Sequence, residues 1–338
     1  MSIIMTGGGT GGHLAIIEAV KEKLKHQELI YIGSTQGQDK RWFEDDSDFK
    51  EKYFLETRGV VNQGVLGKVK SLWMLLVATR EAMKLIKKHD AKVVFSVGGF
   101  SSAATSFAAK LTGVPIVIHE QNAAIGSLNR LMKPYARAFI SSYIDDSPIH
   151  AYPIKEIFFD NARERSKVET IIFLGGSQGA KAINSLALSI ASDIDKRGIK
   201  IIHQAGEKNI SEVKEAYKTL GIDAEVFGFT TKLASYMKSA DFAIARAGAS
   251  TLWELSAMRL PTLYIPYPYA ASDHQYYNAK FLADKNLAWV VREDEISKDT
   301  LLSILDEDMS QKSIGLIDAV ERDGSQKIAD LIEDIVFE

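Results

Sequence analysis

Two glycine-rich turns, Gly7-Gly8-Gly9-Thr10-Gly11-Gly12-His13 and Gly175-Gly176-Ser177-Gln178-Gly179-Ala180, each follow a short apolar run and open a helical pattern. A strand that breaks into glycines and restarts as a helix exposes the first backbone N–H groups of that helix. With the helix dipole, these groups favour phosphate or another anion. Two such turns imply two nucleotide-type α/β domains, and 338 residues is more than one hydrophobic core usually serves.

The rest of the chain keeps this rhythm. Buried parallel strands are predicted at Ser2–Thr6, Leu29–Ile32, Val93–Ser96, Ile116–His119 and Ala138–Ser141, with helical patterns between them. After Pro153 the alternation restarts at Thr170–Leu174, Lys200–His203, Ala224–Phe227, Phe242–Ala245, Thr262–Ile265 and Ala288–Val291, which is the βαβ pattern of doubly wound sheets. The expected division is 1–153 and 154–324, with a final helical segment, about 325–338, able to pack back on the first domain.

Composition removes several classes of function. A net charge of −3 gives no global attraction to nucleic acid. The absence of cysteine rules out disulfides, thiolate catalysis and cysteine-ligated zinc. The first residues are too short and uncharged a stretch for a signal peptide, and no apolar run approaches the ~20 residues of a membrane span, so a soluble or peripheral cytoplasmic protein is expected.

The first turn satisfies G-x-G-x-x-G through Gly7, Gly9 and Gly12, which raises a dinucleotide-binding dehydrogenase. Such an enzyme needs an acid at the end of its second strand for the ribose, and here Ile32-Gly33-Ser34-Thr35 carries none before Asp39. His13 follows the turn at a helix start, where the dipole resists protonation; it reads either as a general base or as a cap beneath the glycines. A third tight turn, Gly98-Gly99-Phe100-Ser101-Ser102, and the polar run His119-Glu120-Gln121-Asn122 end two further strands on the same edge, where open α/β sheets bind ligands.

The chain resembles the MurG family of cell-wall UDP-N-acetylglucosamine transferases, which have the GT-B fold. The likeness rests on Gly8-Gly9-Thr10-Gly11-Gly12-His13, Gly98-Gly99-Phe100, His119-Glu120-Gln121-Asn122, the 175–180 turn, Arg246-Ala247-Gly248-Ala249 with Thr251 and Glu254, and Asp273-His274-Gln275 with Asn278-Ala279. It implies two Rossmann-like, doubly wound domains facing across a cleft, and transfer of N-acetylglucosamine to the 4-hydroxyl of the muramyl sugar of lipid I, with inversion, to give lipid II. His13 is the implied base, with Glu120 as its alternative or orienting partner.

By the same resemblance the donor is held by Ser177, Gln178 and Gly179 at the diphosphate, Glu254 at the ribose hydroxyls, and Ala249, Ser250 and Thr251 at the start of its helix. Asp273, Gln275 and Asn278 read the sugar, Asn122 reaches it from the other domain, and Arg246 is a structural or gating element of its loop. Thr10, Gly11, Gly12 and Lys155 complete the donor set, while Gly9, Gly98, Gly99, Phe100 and Ser101 contact the acceptor. Two departures stand out. Ile16 occupies a position where the family usually has proline, and Tyr152-Pro153-Ile154-Lys155 ends on lysine where the family has arginine, which removes a bidentate fork.

No metal or other cofactor is expected. Asp193-Ile194-Asp195 spells an Asp-x-Asp motif but falls inside a helical pattern, and helix N–H groups are expected to do the work of the ion. A polyprenyl acceptor implies contact with an anionic membrane on the cytoplasmic face of the bacterial inner membrane, with cell-wall synthesis proteins as further partners and no nucleic acid. The segment Lys68–Lys88, with Lys70, Trp73, Leu76 and Arg80, reads either as an interfacial helix or as a core helix with charged flanks. The alternatives are a GT-B transferase with another lipid acceptor and a UDP-sugar epimerase.

Overall fold

The computed structural model describes residues 2–58, 65–176 and 179–338, without the side chains of Val65, Leu66 and Lys68. The chain divides into two compact units, one formed by 1–155 with 323–338 and the other by 156–322.

The first unit is built on β1 (Ser2–Thr6), β2 (Glu28–Ser34), β3 (Glu51–Leu55), β4 (Ala91–Ser96), β5 (Ile116–Glu120) and β6 (Ala138–Ser141), in the order β3-β2-β1-β4-β5-β6. Every pairing is parallel. Parallel strands need crossovers that cover both faces, so the central strands are apolar throughout: Ile3, Ile4, Met5, Val93, Val94 and Phe95 are all buried. The helix Val65–Lys88 and the helix Ala103–Thr112 cover one face together, with Ala78, Ala82, Ile86, Ala104 and Ala108 in the same core. The last helix, Gly324–Phe337, packs against the helix Gly11–Lys21 and β4.

The second unit repeats the plan with β7 (Thr170–Leu174), β8 (Lys200–Gln204), β9 (Ala224–Phe227), β10 (Phe242–Ala245), β11 (Thr262–Tyr264) and β12 (Trp289–Val290), ordered β12-β11-β10-β7-β8-β9 and again all parallel. Its core joins Ile171 and Phe173 to Ile183, Ala187 and Ile190 of the helix Lys181–Lys196.

Strand order reverses direction beside β1 in the first sheet and beside β7 in the second. Ligands of open α/β sheets bind at such switch points, outside the carboxyl ends of the strands. Thr6 is in register with Ser96, so the turns after β1 and β4 leave the sheet side by side; Leu174 and Ala245 do the same after β7 and β10.

Candidate active site

In the first unit the turn after β1 lies against the turn after β4. A Cβ on Gly99 would come within 2.6 Å of the Gly8 carbonyl oxygen and 3.5 Å of His13 Nε2, so only glycine lets the two segments meet. Gly9 has φ of 81°, in the left-handed region that glycine enters without strain, and its N–H donates to Asp39 Oδ2 at 2.6 Å. Thr10 precedes the helix Gly11–Lys21 in an extended conformation and makes no side-chain cap. Its hydroxyl lies 2.9 Å from His13 Nδ1 instead.

The His13 ring is also met by Gln121, whose Nε2 lies 3.0 Å from His13 Nε2 and 3.3 Å from Nδ1. An amide N–H needs a lone pair to donate to. The tautomer that suits both neighbours is therefore neutral imidazole with its lone pair on Nε2 and Nδ1–H directed to the Thr10 hydroxyl. A neutral ring with an available lone pair is the form a general base must take.

The polar run after β5 divides its labour. The Glu120 carboxylate is only 2% exposed and accepts the N–H groups of Asn122 at 3.0 Å and Gly126 at 2.9 Å and the Asn129 amide at 2.9 Å. Burial raises its pKa and those donors pull it back. Its oxygens thus hold the loop that follows, and Gln121 is the member of the run that meets the histidine. His119 is fully buried, edge-on to Tyr152, and neither ring nitrogen has a hydrogen-bond partner among the described residues. Burial pushes its pKa down to about 3, so it stays neutral. Asn122 joins this loop through its backbone N–H.

Gly98 packs against the Asn129 amide, Phe100 against Gly9, and Ser101 is buried behind them. Gly11 and Gly12 open the helix that carries His13. Lys155 sits 3.0 Å from Glu22 and 3.4 Å from Glu18. Burial opposes its charge, but these two carboxylates outweigh it and hold the pKa above the ordinary lysine value. Its ammonium is engaged by the first helix of its own unit.

In the second unit, Ser177 and Gln178 lie outside the described residues. Around them, the Gly179 N–H donates to the Gly176 carbonyl at 3.0 Å, and a Cβ on Gly179 would stand 2.5 Å from the Ala205 carbonyl oxygen. The helix Lys181–Lys196 then starts after Ala180, which has no polar side chain to cap it. A buried polar chain supports this start: Asn184 Oδ1 to His203 Nε2 and His203 Nδ1 to the Tyr217 hydroxyl, each at 3.0 Å. Burial lowers the His203 pKa to about 4, so the chain is uncharged at neutral pH.

Next to it, Ala249, Ser250 and Thr251 form the first turn of the helix Ala249–Ala257, again without a side-chain cap, and Glu254 lies one turn further on, half-buried. Arg246 donates to the carbonyls of Ile265 and Pro266, both at 3.0 Å, and to Glu293 at 2.6 Å, tying the turn after β10 to the loop after β11. Asn278 donates to the Ala247 carbonyl at 3.2 Å, and Gln275 Oε1 accepts the Tyr267 N–H at 2.9 Å. Asp273 pairs with Arg292 at 2.7 Å. Ser272 and Asp273 take φ of 53° and 52°, strain of the kind that collects at ligand sites. Residues from three distant stretches of sequence, 246–254, 265–267 and 273–278, are thus brought to one edge of the sheet. Asp193, by contrast, is paired with Lys298 at 2.7 Å on the helix Lys181–Lys196.

Three contributors escaped sequence reasoning. Asp39 sits past the strand end where a ribose-binding acid belongs, and its carboxylate turns inward onto the glycine turn. Gln121 has no role of its own in the motif, and nothing in the sequence marks Tyr267. The one signal for Gln121 is its place in the polar run at the end of β5.

Residues 3–141 match the Glycosyltransferase family 28 N-terminal domain, and residues 170–335 match the Glycosyltransferase family 28 C-terminal domain. With two parallel sheets and a glycine turn at the switch point of each, they define a glycosyltransferase of the GT-B fold. The chain is 72% identical over 333 residues to the UDP-N-acetylglucosamine--N-acetylmuramyl-(pentapeptide) pyrophosphoryl-undecaprenol N-acetylglucosamine transferase of Sulfurovum sp., covering 98% of each protein. It is 53% identical over 339 residues to the transferase of the same name from Sulfurimonas denitrificans, covering 100% of this chain and 99% of that relative. The crystal structure of Acinetobacter baumannii MurG matches at a TM-score of 0.80 and 26% identity over 98% of this chain and 99% of that one. The chain belongs to the MurG family. A UDP-bound structure of S. aureus MnaA, at 13% identity and a TM-score of 0.68 over 100% of this chain and 98% of that one, shares the fold alone.

Proposed function

We propose that this enzyme transfers N-acetylglucosamine from UDP-N-acetylglucosamine to the 4-hydroxyl of the muramyl sugar of lipid I, giving lipid II with inversion. The observation that carries the reading is the 72% identity, over 98% of both chains, to a transferase named for that donor and acceptor. In the step itself the acceptor hydroxyl attacks the anomeric carbon as the bond to the diphosphate breaks. The hydroxyl proton passes to His13 Nε2, displacing the Gln121 amide, and UDP departs with the bonding electron pair. Thr10 accepts the Nδ1–H of the resulting imidazolium and keeps the ring in place. The strands that lead into the helices Lys181–Lys196 and Ala249–Ala257 end side by side, and the positive ends of these helix dipoles suit the charge that grows on the leaving diphosphate. Purified protein with labelled UDP-N-acetylglucosamine and a lipid I analogue should release UDP and a disaccharide lipid. Conversion of the nucleotide sugar without acceptor would favour an epimerase instead.

The reading needs no metal. Activity of the purified enzyme is expected to persist unchanged in EDTA; a loss restored by magnesium or manganese would refute this part.

The acceptor's tail gives the first unit a membrane face. No described helix is long and apolar enough to cross a bilayer. The helix Val65–Lys88 buries Ala78, Ala82 and Ile86 but leaves Trp73 65% and Leu76 55% exposed, with Val69, Leu72 and Val77 on the same stripe. Lys70, Arg80 and Lys84 are exposed beside them. An apolar stripe rimmed by cations suits the headgroup boundary of an anionic leaflet, each basic residue adding about 1 kcal/mol. Trp73→Asp is expected to weaken binding to anionic liposomes about tenfold or more, since an interfacial aromatic contributes roughly 1.5–3 kcal/mol. Unchanged co-sedimentation would place the membrane contact elsewhere. The enzyme then works on the cytoplasmic face of the inner membrane as a peripheral protein.

A further inference from the structure

The turn that positions His13 is gripped from outside by a carboxylate. Asp39 is fully buried, and its oxygens accept the Gly9 N–H at 2.6 Å, the Ser34 N–H at 3.1 Å and the Tyr31 hydroxyl at 3.0 Å. The single Tyr31 hydroxyl proton is shared with the Gly7 carbonyl, 2.8 Å away. Asp39 and Tyr31 therefore hold the N–H on one side of Gly8 and the carbonyl on the other. Packing closes the grip: a Cβ on Gly8 would stand 2.5 Å from Asp39 Oδ1, and one on Gly37 would stand 2.6 Å from the Gly9 Cα. Gly9 is followed directly by Thr10, whose hydroxyl meets His13 Nδ1. The Thr10 side chain makes no cap bond to the helix it precedes, and Asp39 holds the turn's backbone from outside.

We propose that Asp39 is a positioning residue for the transfer: acting through the Gly9 N–H and Thr10, it holds the glycine turn and His13 in the arrangement that receives the acceptor. This rests on the function proposed above and assigns Asp39 no contact with substrate. A charge-assisted bond as short as the one to Gly9 is among the stronger backbone contacts a side chain makes, and leaving a buried donor unmatched disturbs its segment. Asp39→Asn keeps the volume but sets an NH2 group against the N–H of Gly9 or of Ser34.

The test is Asp39→Asn in the full-length enzyme, assayed beside the wild type with UDP-N-acetylglucosamine and a lipid I analogue. A tenfold to hundredfold fall in kcat is expected, on the order of one mismatched buried hydrogen bond, with the affinity for UDP unchanged. Amide hydrogen exchange should accelerate over residues 9–13 and stay at the wild-type rate across 170–290. Tyr31→Phe should lower kcat in the same way but less, and the double variant should lose less than the product of the two effects, because both side chains grip one turn. If Asp39→Asn does not fold, Tyr31→Phe carries the test with the same readouts. Wild-type kcat and exchange in the folded variant would overturn the inference, as would a fall in kcat matched by weaker UDP binding and faster exchange throughout. A wild-type enzyme that transfers nothing would instead refute the function on which the inference rests.

Discussion

Replacing His13 by alanine is expected to lower kcat by about 10²–10⁴, the range that a positioned general base contributes. Alanine is a strong helix former, so the helix Gly11–Lys21 should survive the change. The substitution empties the space between Thr10 and Gln121 and leaves the attacking hydroxyl with no group to take its proton. The residues assigned to the diphosphate and the ribose, 177–179 and Glu254, lie in the second unit, so titration with UDP is expected to give close to the wild-type Kd. Near-normal turnover in His13→Ala would show that the proton leaves by another route. Gln121→Ala should cost less, because it removes an orienting partner and leaves the base.

The second large effect is expected at Glu254. Its carboxylate, one turn into the helix Ala249–Ala257, is the proposed acceptor of two ribose hydroxyl protons. Hydrogen bonds to a charged group contribute roughly 1.5–3 kcal/mol each, so Glu254→Ala should raise the Kd for UDP by about a hundredfold or more. Glu254→Gln, which keeps one carbonyl oxygen, should lose less. The KM for the lipid acceptor should be unaffected. Calorimetric titration with UDP and acceptor-dependent initial rates separate the two quantities, and a Glu254→Ala enzyme with unchanged UDP affinity would remove this residue from the donor site.

Much of this architecture was legible because parallel strands buried on both faces write themselves as continuous apolar runs. The edge strand β3 was missed for the complementary reason. Its sequence Glu51-Lys52-Tyr53-Phe54-Leu55 mixes charge with aromatics, and only Leu55 is fully buried. The glycine turns were visible as chemistry, since few other sequences break a strand into a helix so abruptly. Their supports were not. Gln121 meets His13 across 108 positions, and Asp39 reaches Gly9 across 30; neither contact has a period or a spacing rule to reveal it. The pairing of His13 with Glu120 illustrates the difference, because the resemblance implies the carboxylate as base or orienting partner while the fold brings Gln121 to the ring. The resemblance likewise puts Lys155 at the donor, and its ammonium lies on two carboxylates of its own unit.

The path of the backbone carries a consequence for how the enzyme is made. The first unit is left at residue 155 and re-entered at residue 323, and the returning helix seats Ile328, Ala329 and Ile332 in its interior, with Gly324 pressed against the backbone of Tyr152. At 5–20 residues per second, the roughly 170 residues in between take on the order of 10–30 s to leave the ribosome. For that interval the first sheet has emerged without its closing helix, whereas the second, encoded without interruption, has every strand it needs before translation ends.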